Sequence, residues 1–144
     1  MNIKLEQVTK NYGNVQGISN INLEVNKGIT GILGPNGAGK STTMKIILGL
    51  SRPSRGRVTV DGRNPFDDWE LKKNFGFVPE YDCFYEHMSG LEFVSYFLRM
   101  HDCQKEEAEE KAREALSELG LEEAMERKIN TYSRGMRQKT KVAR

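Results

Sequence analysis

Residues 28–50 read GITGILGPNGAGKSTTMKIILGL, and the order of their parts decides the fold. ITGIL, residues 29–33, is a short apolar run without alternation, which predicts a strand buried on both faces of a sheet. A Gly-rich loop follows. A helix is then expected from about Lys40 to Leu50, with Met44, Ile47 and Leu48 at helical spacing, and SRPSRG at 51–56 ends it with Pro and Gly punctuation. Between strand and helix, Gly34–Thr42 satisfies the pattern G-x-x-x-x-G-K-S/T. The pattern has a physical reason. Glycines let the backbone fold tightly so that successive N–H groups point inward as an anion nest, and the following helix adds its positive end. Lys40 then reaches the outer phosphates of a nucleoside triphosphate, and Ser41 supplies a hydroxyl to Mg²⁺ held across the β- and γ-phosphates.

Upstream of this stretch, residues 2–8 alternate (Ile3, Leu5, Val8), and so do residues 18–25 (Ile21, Leu23, Val25), which predicts two half-buried antiparallel strands before the turn Asn26-Lys27-Gly28. Downstream, RVTVDG at 57–62 reads as a strand with an Asp-Gly turn. DDWELKKN at 67–74 reads as one or two helical turns, with Asp67 or Asp68 near its N-terminus. FGFVP at 75–79 reads as a further strand stopped by Pro79. GLEFVSYFLRM at 90–100 is a helix apolar almost all round, which implies burial. From 104 to 119, Ala108, Ala112, Ala115, Leu116 and Leu119 form one stripe, with Glu107–Lys111 and Glu109–Arg113 spaced to pair on the wet side. Gly120 is a candidate C-cap with Leu121 folding back. Strands thus dominate the first half and helices the second, an α/β core with a helical appendage.

With 144 residues the chain can bury one core and not two independent ones. Lys and Arg number 22 against 20 Asp and Glu, so the net charge of +2 gives no global sign of a polyanion-binding tail. The strongest apolar run, Ile46–Leu50, is far short of the roughly 20 residues of a membrane-spanning helix. MNIKLEQV carries no basic segment followed by an apolar one, so no secretory signal is expected. Cys83 and Cys103 are too few for a disulfide framework or a zinc site, and His87 and His101 read as surface or loop residues.

A triphosphate loop is shared by kinases, GTPases, helicases and transport motors, so the distinguishing residues lie elsewhere. Residues 27–62, GFVPE at 76–80 and NTYSRGMRQKTKVAR at 130–144 together resemble the ATP-binding cassette (ABC) transporter ATPases, in the family's order and over nearly the whole chain. SRGMRQK stands where that family's signature stands. In detail the chain is most similar to cassettes that drive exporter-type or drug-resistance permeases. The resemblance implies a P-loop α/β fold of ABC type: N-terminal antiparallel strands and a partial parallel core sheet over residues 1–80, then a helical subdomain and the signature helix over 81–144.

The resemblance also implies roles. Tyr12 matches the aromatic that stacks on adenine, where a flat ring gives π contact with a base. Gly34, Asn36, Gly37, Ala38, Gly39 and Lys40 grip the phosphates, with Ser41 on the metal and Thr42 on the inner phosphates. Glu80 departs from the family's usual Gln at a metal-contacting loop; its carboxylate keeps an oxygen ligand for Mg²⁺ and adds a negative charge near the γ-phosphate. Ser133, Arg134, Gly135 and Met136 replace the usual Ser-Gly-Gly-Gln of the signature, which acts in trans on ATP held by a partner's loop. Ser133 is placed to cap the helix, and Met136 cannot complete a capping box as Glu would, leaving N–H donors for an anion. Arg134, Arg137, Lys139, Lys141 and Arg144 are expected on that helix's exposed face, without nucleic acid as partner.

The implied partners are a second cassette, as homo- or heterodimer, and an integral membrane permease, with the chain cytoplasmic and peripheral at the inner face of the cell membrane. In the family a second metal aspartate, a catalytic glutamate and a switch histidine follow the signature helix. This sequence stops at Arg144 before any of them, so no catalytic residue is assigned, and hydrolysis by this polypeptide alone is not expected. It reads as the N-terminal part of a cassette, from a split or truncated gene or a fragmentary sequence, whose ITGIL strand lacks a central neighbour. The alternatives are an ABC-type ATPase acting on ribosomes or DNA and an inactive nucleotide-binding remnant; a kinase would leave the signature unexplained.

Overall fold

The computed structural model describes residues 1–144, which divide into two compact units, Met1–Gly76 and Phe77–Arg144, each with its own apolar cluster where length alone predicts a single core. Residues 77–80, grouped by sequence with the first part, fall in the second unit.

The first unit is built on β1 (Ile3–Tyr12), β2 (Val15–Val25) and β3 (Arg55–Val60), a wholly antiparallel sheet of order β2-β1-β3. Ile3 faces Val25 on one side and Val60 on the other, and Leu5 faces Leu23 and Val58, so the alternating apolar positions stack across three strands. Leu5 and Val8 are both buried although three residues apart. An irregularity between them resets the phase: Gln7 takes φ +51° and its N–H donates to Asn22 Oδ1 at 2.9 Å. Helix α1 (Lys40–Ile47) lays Ile46 and Ile47 on this face, closing a core with Ile18, Val60 and Leu71. The short α2 (Trp69–Lys72) is capped by Asp68, which accepts from Leu71 N–H at 2.9 Å; of the two aspartates foreseen near that terminus, Asp68 is the cap.

The parallel core sheet is absent. Residues 29–33 form no strand, and Ile29 and Leu33 are 105% and 95% exposed, the reverse of burial on both faces. Residues 75–79 are likewise outside any ladder, with Phe77 and Val78 exposed. No strand lies beside either segment to take its N–H and C=O groups, and an apolar pentapeptide so placed gains neither hydrogen bonds nor cover.

The second unit packs α3 (Gly90–Met100), α4 (Lys105–Glu118), a 3₁₀ turn at Ile129–Thr131 and α5 (Arg134–Ala143) around Phe93, Val94, Leu116, Leu121 and Ile129. A capping box starts α3: Ser89 Oγ accepts from Glu92 N–H at 3.1 Å, and Glu92 Oε2 accepts from Ser89 N–H at 2.7 Å. The helix is fully buried only over its first turns; Tyr96 and Met100 are exposed on the face turned away from α4 and α5, so the expected burial all round does not hold. The α4 stripe is buried at Ala108, Ala112 and Leu116, and Gly120 at φ +67° lets Leu121 N–H return to Leu116 O at 2.9 Å. Lys111 pairs with Glu107 at 2.7 Å as spaced, whereas Arg113 passes over Glu109 for Glu126 at 2.8 Å. No helix is long and apolar enough to cross a membrane.

Candidate nucleotide site and signature helix

The glycine loop lies in the first unit, between the unpaired 29–33 segment and α1. Gly37 and Gly39 both adopt φ +84°, a left-handed conformation that side chains disfavour. Gly39 is required twice over, since a β-carbon there would overlap Ile18 Cγ2 and lie 2.8 Å from the Gly17 carbonyl oxygen. This close approach seats the start of α1 against β2. Gly39 is also the N-cap of α1, and no side chain caps the helix or places an acid in its first turn. The first amides therefore meet no competing protein anion, which is the electrostatic condition for holding phosphate.

Lys40 curls over the loop, its Nζ 2.8 Å from both the Gly34 and Pro35 carbonyl oxygens. An ammonium at the loop's mouth is thus held by two neutral acceptors that it can trade for charged ones. Ser41 is exposed on the first turn, while Thr43 is buried with its hydroxyl donating to Gly39 O at 3.0 Å, so Ser41 has the free hydroxyl and Thr43 is a structural one. Asn36 and Ala38 are exposed on the loop, with Ala38 N–H closing a turn onto Pro35 O at 3.2 Å. Tyr12, about half exposed at the end of β1, stands beside the same helix, where the nearby Ser51 hydroxyl, and after it that of Thr42, hold its phenol pKa below the ordinary tyrosine value. The structure thus brings Tyr12, the loop and Thr42 together. This donor set fits a triphosphate with a purine ring at one end and a hard cation at a hydroxyl.

Glu80 and the residues expected to form a signature, Ser133, Arg134, Gly135 and Met136, belong to the second unit. Glu80 is exposed in the segment before α3, and its carbonyl accepts from Lys141 Nζ at 3.4 Å. Ser133 caps α5 as expected, accepting from Met136 N–H at 3.3 Å. That bond uses one amide and leaves those of Arg134 and Gly135 at the tip. A β-carbon at Gly135 would meet only Ser133 Oγ, at 3.9 Å, so the tip is open to close approach. Arg127 and Lys139 flank the same surface depression as Ser133 and Gly135, two cations that reading the signature as a linear motif passes over.

The expected exposed basic face of α5 is corrected at two positions. Lys141 is only 4% exposed at its side chain, with Nζ on Asp82 Oδ1 at 2.9 Å, and Arg137 forms a bidentate pair with Glu86 at 2.6 and 2.7 Å. The guanidinium beside Glu86 holds that carboxyl below the usual glutamate range, and Glu86 raises Arg137 in return. The signal was legible as spacing: Arg137 and Lys141 are four apart on one helical face, and Asp82 and Glu86 are four apart in sequence.

A phosphate loop leading into a helix, followed by a capped, glycine-bearing signature helix, defines a nucleotide-binding domain of one class. The sequence profile described as ABC transporter matches residues 18–144, and the chain belongs to that family. It is 33% identical over 142 residues to the uncharacterized ABC transporter ATP-binding protein YxlF of Bacillus subtilis, covering 98% of this chain and 47% of that one. It is 38% identical to the lipoprotein-releasing system ATP-binding protein LolD of Bacteroides thetaiotaomicron, over 99% of this chain and 68% of that one. Among solved structures, the dimeric bacterial ABC transporter cassette MJ0796 matches with a TM-score of 0.79 at 31% identity, covering 98% of this chain and 67% of the other. The post-hydrolysis dimer of the same cassette, bound to ADP and Pi, gives 0.81 at 30%. The chain spans about half the length of the first curated relatives it matches.

Proposed function

We propose that this chain forms the ATP-holding and signature-bearing part of an ABC transporter ATP-binding subunit. The observation that carries the reading is the loop 34–42, whose left-handed glycines, uncapped helix start and inward-curled Lys40 make an anion cradle. On binding, Lys40 exchanges the Gly34 and Pro35 carbonyls for phosphate oxygens, and the first amides of α1 point at the same charge. Tyr12 stacks on the base, and Thr42 turns to the inner phosphates. Ser41 would supply a hydroxyl for Mg²⁺, whose charge would offset that of the phosphates when bound; Glu80, in the second unit, offers a carboxylate oxygen suited to the same kind of ion. At the other unit, Ser133, Arg134, Gly135 and Met136 present the tip of α5 to ATP held by a second cassette, and closure of that pair drives a membrane permease from its cytoplasmic side.

The test is a titration of the 144-residue chain with a fluorescent ATP analogue and Mg²⁺, beside Lys40→Ala. Loss of a charge-assisted phosphate contact of about 1.5–3 kcal/mol weakens binding by roughly 10- to 100-fold. Absence of saturable binding, or equal affinity in the variant, refutes the reading.

A further inference from the structure

Arg137 and Lys141, on the inward side of α5, have no part in the nucleotide site just described, and their geometry is that of a clamp. From Phe77 to Phe84 the backbone makes no hydrogen bond to other backbone, so nothing in the main chain itself holds this segment. Its aromatic end rests on α3, with the Phe84 and Phe93 ring centroids 5.0 Å apart, while the side-chain polar contacts that fix residues 79–82 come from α5. Lys141 Nζ donates to Asp82 Oδ1 at 2.9 Å, Pro79 O at 3.2 Å and Glu80 O at 3.4 Å, so each of its three N–H groups has one acceptor. One turn earlier, Arg137 grips Glu86 through two parallel bonds, lies 3.9 Å from Asp82, and sets its guanidinium 5.6 Å from the Phe84 ring centroid. Asp82 is shared by both cations.

A lysine with 4% of its side chain exposed is a poor way to gain stability, because desolvating the ammonium offsets its attraction to the carboxylate. Burial of such a group is better explained by what it holds in place. Two of its acceptors are the carbonyls of Pro79 and of Glu80 itself, so Lys141 determines the path of the chain at Glu80. We propose that Lys141 and Arg137 are positioning residues that lock the segment 79–86 to the signature helix, so that Glu80 and the tip of α5 move as one body. The functional meaning of that coupling rests on the roles proposed above for Glu80 and for Ser133–Met136. The clamp itself does not.

The experiment uses the full chain with nitroxides at native Cys83 and at Gln138→Cys on the exposed side of α5, in a Cys103→Ser background, read by pulsed electron double resonance. A control pair, Ser117→Cys on α4 with Gln138→Cys, carries Cys83→Ser and Cys103→Ser. With Lys141 present, the 83–138 distance distribution has a single narrow maximum. In Lys141→Met that maximum is lost while the 117–138 distribution is unchanged. Asp82→Asn, which leaves Lys141 its two carbonyls, is run beside it and broadens the distribution less; should Lys141→Met fail to fold by circular dichroism, Asp82→Asn decides alone. An unchanged 83–138 distribution overturns the proposal, and so does equal broadening of both pairs, since the lysine would then serve the whole unit. ATP-analogue affinity is measured on the same samples: its absence in the unsubstituted chain refutes the nucleotide reading and leaves the clamp standing.

Discussion

Replacing Gly39 with alanine separates two requirements that the phosphate loop places on one residue. Gly37 and Gly39 share φ +84°, so an L side chain at either is held in the left-handed region at a cost of about 1–2 kcal/mol. They differ in surroundings. A β-carbon at Gly37 meets nothing within 4 Å, whereas one at Gly39 overlaps Ile18 Cγ2 and comes within 2.8 Å of the Gly17 carbonyl oxygen. Ile18, on β2, is buried in the core and cannot swing aside, and overpacking of this kind costs about 1–3 kcal/mol more. Gly37→Ala is therefore expected to lose about 1–2 kcal/mol and Gly39→Ala about 2–5 kcal/mol. Urea unfolding followed by Trp69, the only tryptophan and a member of the same unit, reads both. Shifting the start of α1 also displaces Lys40 from the loop's mouth, so nucleotide affinity falls further in Gly39→Ala than in Gly37→Ala. Equal stabilities within about 0.5 kcal/mol would refute the close-packing account of α1 on β2.

Leu33, 95% exposed, should accept serine in this chain with a change below about 0.5 kcal/mol, where a strand buried on both faces would lose about 2–5 kcal/mol; urea midpoints distinguish the two. Ser89→Ala removes one half of the α3 capping box and should cost about 1 kcal/mol, seen as faster amide exchange over the first turn of α3. Glu86 has its carboxyl lowered on folding, chiefly by its hydrogen bond to Arg137, so its contribution is complete above the unfolded glutamate value of about 4.3 and disappears as pH falls through the lower folded value. Glu86→Gln should therefore flatten the acid limb of second-unit stability, and a limb identical to that of the unsubstituted chain would count against the pair.

The local elements were legible because their causes are local. G-x-x-x-x-G-K-S/T needs only its own backbone and the helix it opens, and in the structure Gly37 and Gly39 take left-handed φ while Lys40 bonds the loop's own carbonyls. Ser133 and Gly120 cap their helices through groups within a few residues. Even the stripe of α4 follows from period alone. Where sequence reasoning departed from the structure, the deciding partner was distant. ITGIL has the composition of a central strand, and composition cannot supply the neighbour that takes its hydrogen bonds. Glu109 and Glu126 both suit Arg113, and the fold of the segment after α4 chose the second.

By itself, then, the sequence determined the phosphate loop, the caps, the helical periods and the family, since each is written in residues within a few turns of one another or in the order of short motifs. Tertiary structure decided that the antiparallel sheet forms while residues 29–33 stay unpaired, and that Lys141 turns its side chain from α5 inward onto the backbone at Glu80. Those outcomes depend on which groups meet across 60 or so residues of chain, where loop-closure entropy, desolvation and available acceptors compete, and no local pattern encodes that balance.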